Sequence, residues 1–272
     1  MLTRIISAAF GISIVLIAIW IGFPGVAVLA VLAGLIGGYE LNRLARPSAR
    51  ISDGTRMISL VAGPVVLASV GVWLATDGRI NGGLMPILVA IIFALTVLLR
   101  GLATLRKSSD VESWAYWVFA AYTGVALAHA PVLIELERGR ELVLFILLTT
   151  FSIDTMALFV GLLIGRHRLA PSISPKKSWE GAFAGLLGGV AMAITVDLVL
   201  NIHFTLMMAG LLGGILGVTA IFGDLYESWV KRKAGVKDSG TIIPGHGGIL
   251  DRLDSVIPNL MIVYWVAVWV TL

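Results

Sequence analysis

The residues best equipped for chemistry lie between Gly223 and Ser255. In GDLYESWVKR, Asp224, Glu227, Ser228 and Lys231 recur at i, i+3, i+4 and i+7, which lines them along one face of a helix. A solvated helix end would show the same pattern. The stretch KDSGTIIPGHGGILDRLDS then carries three aspartates, a lysine, an arginine, a histidine and four glycines between two apolar runs. A connecting turn needs only a few residues. Gly245, Gly247 and Gly248 around His246 predict a tight turn of the kind that approaches phosphate closely. Asp251, Asp254 and Ser255 would share one face if the last helix begins there, and capping by itself would explain one of those aspartates. Two helix ends that present carboxylates and cations together suit a hard divalent metal and a polyphosphate, with magnesium the natural ion. No His/Cys spacing of a zinc site occurs.

The elements that must hold these groups are apolar almost throughout. Of the 272 residues 58% are hydrophobic and 13% charged, and the mean hydropathy is +0.97, which excludes an ordinary soluble domain and places the chain in a bilayer. Cysteine is absent, so disulfides and thiolate chemistry are excluded. Nine apolar runs are long enough to span, at about 5–22, 24–40, 57–76, 83–100, 114–134, 142–165, 181–201, 204–223 and 256–272. Their continuity and their Leu, Ala and Gly content predict an all-α, polytopic membrane bundle rather than a barrel. The first run exceeds the apolar core of a signal peptide and is read as a retained helix.

With nine helices, seventeen of the twenty Lys and Arg residues fall on one side and only Arg79, Arg138 and Arg140 on the other. That asymmetry predicts a cytoplasmic N-terminus, an outside C-terminus and a cytoplasmic Lys237–Ser255 stretch. The pI near 9.6 follows from topology and anionic headgroups, without a nucleic-acid partner. No linker or low-complexity segment marks a boundary, so residues 1–272 are read as one membrane domain. The related strings AGLIGG, AGLLGG and AGLLGG at 33, 184 and 209 are read as close-packing surfaces.

SPKKSWEG at 174–181 places two lysines beside a helix N-terminus, where phosphate binds well and where a topology-setting loop would look alike. Asp154 stands in the middle of an apolar run, which is costly unless it faces a cavity or a partner. Helical projection puts Thr150, Asp154, Gly161 and Gly165 on one face, directed into the bundle. His129, His203 and Asp197 fall near outer helix ends and carry no assigned chemistry.

Ser228-Trp-Val-Lys-Arg, Lys237-Asp238, Pro-Gly-His-Gly-Gly at 244–248 and Asp-Arg-Leu-Asp at 251–254 together resemble the signature of phosphatidate cytidylyltransferases. Ser-Pro-Lys-Lys-Ser-Trp-Glu-Gly resembles a second segment of that family, with Ser178 where a threonine is usual. The family's Asp-Thr-Gly-Ala-Tyr is here Asp-Thr-Met-Ala-Leu from Asp154 to Leu158. The resemblance is concentrated in residues 150–272. It implies that CTP and phosphatidate give CDP-diacylglycerol and pyrophosphate at the cytoplasmic face of a bacterial inner membrane. On that resemblance Asp224 and Asp251 bind Mg2+, and the family suggests a monovalent cation such as K+ as its companion. Asp254, Lys231 and His246 join the two aspartates as catalytic residues. Substrate contacts fall to Ser174, Lys176, Lys177, Ser178, Glu180, Ser228, Arg232, Lys237, Asp238 and Arg252, with Asp154 beside them. A polyprenol kinase and an ether-lipid cytidylyltransferase share the nucleotide logic. A transporter would instead gather its charges near the midplane between repeats. Oligomeric state stays open, a homodimer included.

Overall fold

The computed structural model describes residues 2–45, 122–124, 126–245 and 247–271. It forms two compact units, Met1–Val132 with Lys233–Ile249, and Leu133–Arg232 with Leu250–Leu272. The expected spans at 57–76 and 83–100, the first part of the one at 114–134, and His246 lie outside the described residues.

In the first unit, helix α1 (Leu2–Ile21) and helix α2 (Phe23–Ala45) are separated by Gly22, whose φ of 89° is open to glycine and strained for other residues. Pro24 sits in the first turn of α2, where a missing N–H costs nothing. Ile5, Phe10 and Trp20 of α1 are exposed, as a lipid-facing helix requires. The segment Lys233–Ile249 folds back on itself, with Ile243 N–H donating to the Gly247 carbonyl at 2.9 Å. Gly245 and Gly247 have φ of 77° and 88°, the left-handed geometry of the expected tight turn.

The second unit begins with helix α3 (Gly139–Ile164), continues through strands β1 (Arg168–Ala170) and β2 (Ser174–Ser178), and then enters helix α4 (Trp179–Leu200). Helix α5 (Leu206–Lys233), the single turn α6 (Leu250–Leu253) and helix α7 (Val256–Thr271) complete it. At 26 residues, α3 extends about 39 Å, enough to cross the hydrocarbon with turns to spare. Among the described residues four helices are long and apolar enough to cross a membrane, Phe23–Leu41, Gly139–Ile164, Trp179–Leu200 and Leu206–Lys233. Shorter apolar helices run over Ile5–Ile21 and Val256–Val270. The chain is thus predominantly helical and membrane-type.

The segment before Trp179, expected as a loop, is an antiparallel β-hairpin in which Arg168 pairs with Ser178. Its turn is closed by Ile173 N–H to the Ala170 carbonyl at 3.1 Å, and Pro171 supplies the φ that the second position of such a turn needs. Helices α3 and α4 then run antiparallel. Ser152 Oγ donates to the Gly188 carbonyl at 3.2 Å, and a Cβ at Gly181 would collide with the Ala157 carbonyl. The two AGLLGG strings face each other across α4 and α5, where a side chain on Gly213 would meet the Gly189 carbonyl. Small residues allow such backbone approach in lipid.

One polar clamp ties three helices of this unit. Asn259 on α7 is fully buried, donates to Thr150 Oγ1 on α3 at 2.9 Å and accepts from Thr219 Oγ1 on α5 at 2.7 Å. The last helix does not begin at Asp251, and the continuous face expected for Asp251, Asp254 and Ser255 is broken. Pro258 is the physical reason. Its ring cannot donate to the Asp254 carbonyl four residues back, so the chain turns there and α7 starts at Val256. The freed carbonyl packs against Gly223 of α5, a position no Cβ could share.

Candidate active site

The C-terminal half of α5 continues ten residues past the expected apolar span, and its polar face carries the centre of the site in the second unit. Asp224 Oδ2 lies 2.5 Å from Lys177 Nζ, which β2 delivers just before α4. Ser228 Oγ donates to Asp224 Oδ1 at 3.2 Å, across one helical turn. A further turn on, Lys231 Nζ donates to Asp251 Oδ1 at 2.6 Å and stands 3.3 Å from Glu227 Oε1. The Lys231 and Asp251 side chains are only 11% and 6% exposed, so this pair is not a solvent-screened surface contact.

Asp254 sits at the break between α6 and α7, where its Oδ1 accepts from Ser255 N–H at 2.7 Å. Burial pushes its carboxyl up to about 6, and the neighbouring Asp224 charge adds to the rise. Asp154 lies within electrostatic range of Asp254, Asp224, Lys177 and Arg252, so α3 brings a fourth aspartate toward the group. Its side chain has solvent access, whereas Thr150, one turn earlier on the same face, is buried.

The remaining expected site residues fall outside this core. Ser178 is buried and caps α4, its Oγ accepting from Gly181 N–H at 3.2 Å. Glu180 Oε1 pairs with His167 Nδ1 at 2.6 Å. Arg232 Nε donates to the Ile173 carbonyl of the hairpin turn at 3.2 Å. Lys176 is exposed on β2, Ser174 is half-buried there, and Arg252 is exposed on α6. Lys237 and Asp238 are exposed in the first unit. Asp197 behaves as a structural group, accepting from Phe204 N–H at 3.1 Å to fasten the turn after α4.

Two carboxylates had no role assigned from sequence. Glu227 is fully buried, and neither oxygen makes a well-formed hydrogen bond among the described residues. Its signal was the i+3 position on the α5 polar face. Glu40, at the end of α2 in the first unit, is 1% exposed; Oε2 accepts from Ser239 Oγ at 3.0 Å and Oε1 from Ile249 N–H at 2.9 Å. Its signal was a lone carboxylate closing an uncharged apolar run.

The donor chemistry fits a hard cation. Asp224, Asp251 and Asp254 offer carboxylate oxygens, and the two aspartates held by lysines show how strongly the site draws positive charge. Among the described residues no three His, Cys, Asp or Glu side chains converge at ligand spacing. Magnesium commonly takes only one or two carboxylates and completes its shell with water and phosphate. Paired ammonium and carboxylate groups of this kind can hold a polyphosphate and balance its charge.

Known sequences are similar to this chain over most of its length. The family model described as "Cytidylyltransferase family" matches residues 2–270. A phosphatidate cytidylyltransferase of Brucella melitensis is 32% identical, with 96% of this chain and 91% of that protein covered. Those of Mycobacterium bovis and Staphylococcus epidermidis are 36% and 42% identical over 60% and 44% of this chain. In these two matches the chain spans about half the length of the relative, 51% and 46%. The Brucella match runs through both compact units and the family model reaches from α1 to α7, so the lysine-paired aspartates of α5 and α6 sit within a shared whole: the chain belongs to the cytidylyltransferase family.

Proposed function

We propose that this protein is a CTP:phosphatidate cytidylyltransferase that forms CDP-diacylglycerol and pyrophosphate for phospholipid synthesis. The observation that carries the reading is the double pairing of Lys177 with Asp224 and Lys231 with Asp251. It stands within a chain whose relatives bear that enzyme's name.

In the reaction, a phosphate oxygen of phosphatidate attacks the α-phosphorus of CTP, and the bond to the β,γ-pyrophosphate breaks in line. The nucleophile is already an anion, so catalysis consists of positioning two anionic groups and offsetting their charge. Lys177 and Lys231 turn from their aspartates toward phosphate oxygens, and Lys176 and Arg252 supply further positive charge at the rim. Ser228 keeps Asp224 oriented through its hydroxyl. Magnesium, bound by Asp224 and Asp251 with Asp254 beside them, would supply the remaining positive charge for the phosphates. Lys237, Asp238 and His246 stay candidates on the family motif alone.

The topology that serves this chemistry has nine spans, a cytoplasmic N-terminus and an outside C-terminus in a bacterial inner membrane. The distribution of Lys and Arg supports it. CTP is a cytosolic solute, and phosphatidate presents its headgroup at the same face. Purified protein supplied with CTP, phosphatidate and magnesium is expected to release pyrophosphate only when all three are present. Release without phosphatidate, or its persistence in EDTA, would contradict the reading.

A further inference from the structure

Three segments of the second unit bring an aspartate to the site, α3 with Asp154, α5 with Asp224 and the α6–α7 junction with Asp254, and Asn259 ties the same three together. Asn259 is fully buried and uses both ends of its amide. Nδ2 donates to Thr150 Oγ1 at 2.9 Å, and Oδ1 accepts from Thr219 Oγ1 at 2.7 Å. In α3 and α5 the aspartate follows its threonine by four and five residues, about 6 and 7.5 Å along the helix, and Asp254 precedes Asn259 by five. Asp154, Asp224 and Asp254 lie within electrostatic range of one another, so all three stand on one side of the clamp. A second fixed point lies between clamp and site. A Cβ on Gly223, the residue before Asp224, would meet the Asp254 carbonyl and the Pro258 ring, so α5 and the α6–α7 junction touch there at the closest approach a backbone allows.

Carboxylates gathered in one place repel, and helices packed only through apolar side chains can slide to relieve that repulsion. An interhelical hydrogen bond in lipid contributes modestly to stability, and the close contacts of α4 with α3 and α5 are made through glycine without one from Asn259. What a buried amide adds is register, because an apolar interface accepts several alignments and two directed hydrogen bonds accept one. We propose that Asn259 is a positioning residue for the metal site: through Thr150 and Thr219 it sets the spacing of Asp154, Asp224 and the Asp251–Asp254 turn, and with it the affinity for a divalent cation. Asn259 touches neither the ion nor the substrates. The use made of the ion rests on the cytidylyltransferase reading, whereas the clamp does not.

The test uses the full chain in lipid nanodiscs, with Mn2+ binding followed by the EPR signal of the free ion and initial rates followed as magnesium is varied. Asn259→Leu keeps the side chain's size and removes both bonds. Thr219 Oγ1 already has the Ile215 carbonyl at 2.9 Å as another acceptor, so the variant is expected to stay folded. It should weaken Mn2+ binding, and raise the magnesium concentration for half-maximal rate, by about tenfold or more, leaving KM for phosphatidate at saturating metal unchanged. Thr150→Val and Thr219→Val each remove one arm and should weaken Mn2+ binding by about threefold, whereas Thr150→Ser keeps its hydroxyl and should stay near wild type. A purely structural role would lower the melting temperature and leave the metal affinity where it was. Unchanged Mn2+ affinity in Asn259→Leu overturns the proposal, as does unchanged affinity in both valine variants should Asn259→Leu fail to fold. Equal losses in Thr150→Ser and Thr150→Val overturn it too, because the hydroxyl would then not be the cause. A wild-type protein that binds no Mn2+, with or without CTP, overturns the metal assignment and the positioning role together. One that binds Mn2+ but does not use CTP defeats the cytidylyltransferase reading instead, and the Mn2+ affinities of the variants still decide the role of Asn259.

Discussion

Asp224 and Asp251 each hold a lysine ammonium at close range, so removing either carboxylate deletes an ion pair and, on the proposed assignment, a magnesium ligand. Asp224→Asn and Asp251→Asn are each expected to lower turnover by about a hundredfold or more at saturating magnesium, with membrane insertion retained. Initial-rate measurements on monodisperse protein check this, and near wild-type turnover in either would remove the metal assignment. Asp254 yields a pH prediction. Its folded carboxyl binds its proton up to about pH 6, above the ordinary range, so the stability it contributes is present at low pH and is lost as pH rises through that value. Asn mimics the protonated form. In EDTA, Asp254→Asn should therefore melt at higher temperature than wild type near about pH 7.5, and the gap should narrow toward about pH 5. These aspartates were legible because charge is rare in the chain and their spacing matches a motif. Glu40 was not, because its partners Ser239 and Ile249 are remote in sequence.

At the scale of elements, the apolar runs at 5–22, 24–40, 142–165, 181–201, 204–223 and 256–272 all appear as helices, since length and uninterrupted hydropathy specify a span. The hairpin over Arg168–Ser178 was not legible, because two strands of three and five residues fall below any clear alternation. The last helix starts at Val256, where the apolar run was read to begin, and the face shared by Asp251, Asp254 and Ser255 on a helix begun at Asp251 does not form because Pro258 acts four residues upstream, on the Asp254 carbonyl. The facing AGLLGG strings give a prediction of their own. Gly213→Leu must push α5 away from the Gly189 carbonyl and should destabilise the protein by about 1–3 kcal/mol. Thermal unfolding in detergent reads this, and an unchanged midpoint would show that the two helices need no close approach.

For the whole molecule, orientation decides which side supplies the nucleotide. The chain has no cysteine, so single thiols report sidedness without background. In intact cells Lys233→Cys should resist a membrane-impermeant thiol reagent, and His203→Cys should react; the reverse would place the α5 site away from cytosolic CTP. Composition made the membrane class legible, and the side on which seventeen basic residues fall made orientation an expectation. How distant side chains meet was beyond the sequence, because Lys177, Asp224 and Asp251 come from three elements whose packing depends on Gly213, Gly223 and Asn259.

The central claim is that CMP is transferred to a lipid phosphate, and the most direct measurement follows the fate of each phosphorus of CTP. Purified protein is given phosphatidate, magnesium and CTP labelled at either the α or the γ position. The account predicts α-label in the lipid fraction and γ-label in pyrophosphate, both abolished by EDTA. Entry of γ-label into lipid, with CDP released, would contradict it and assign a kinase in its place.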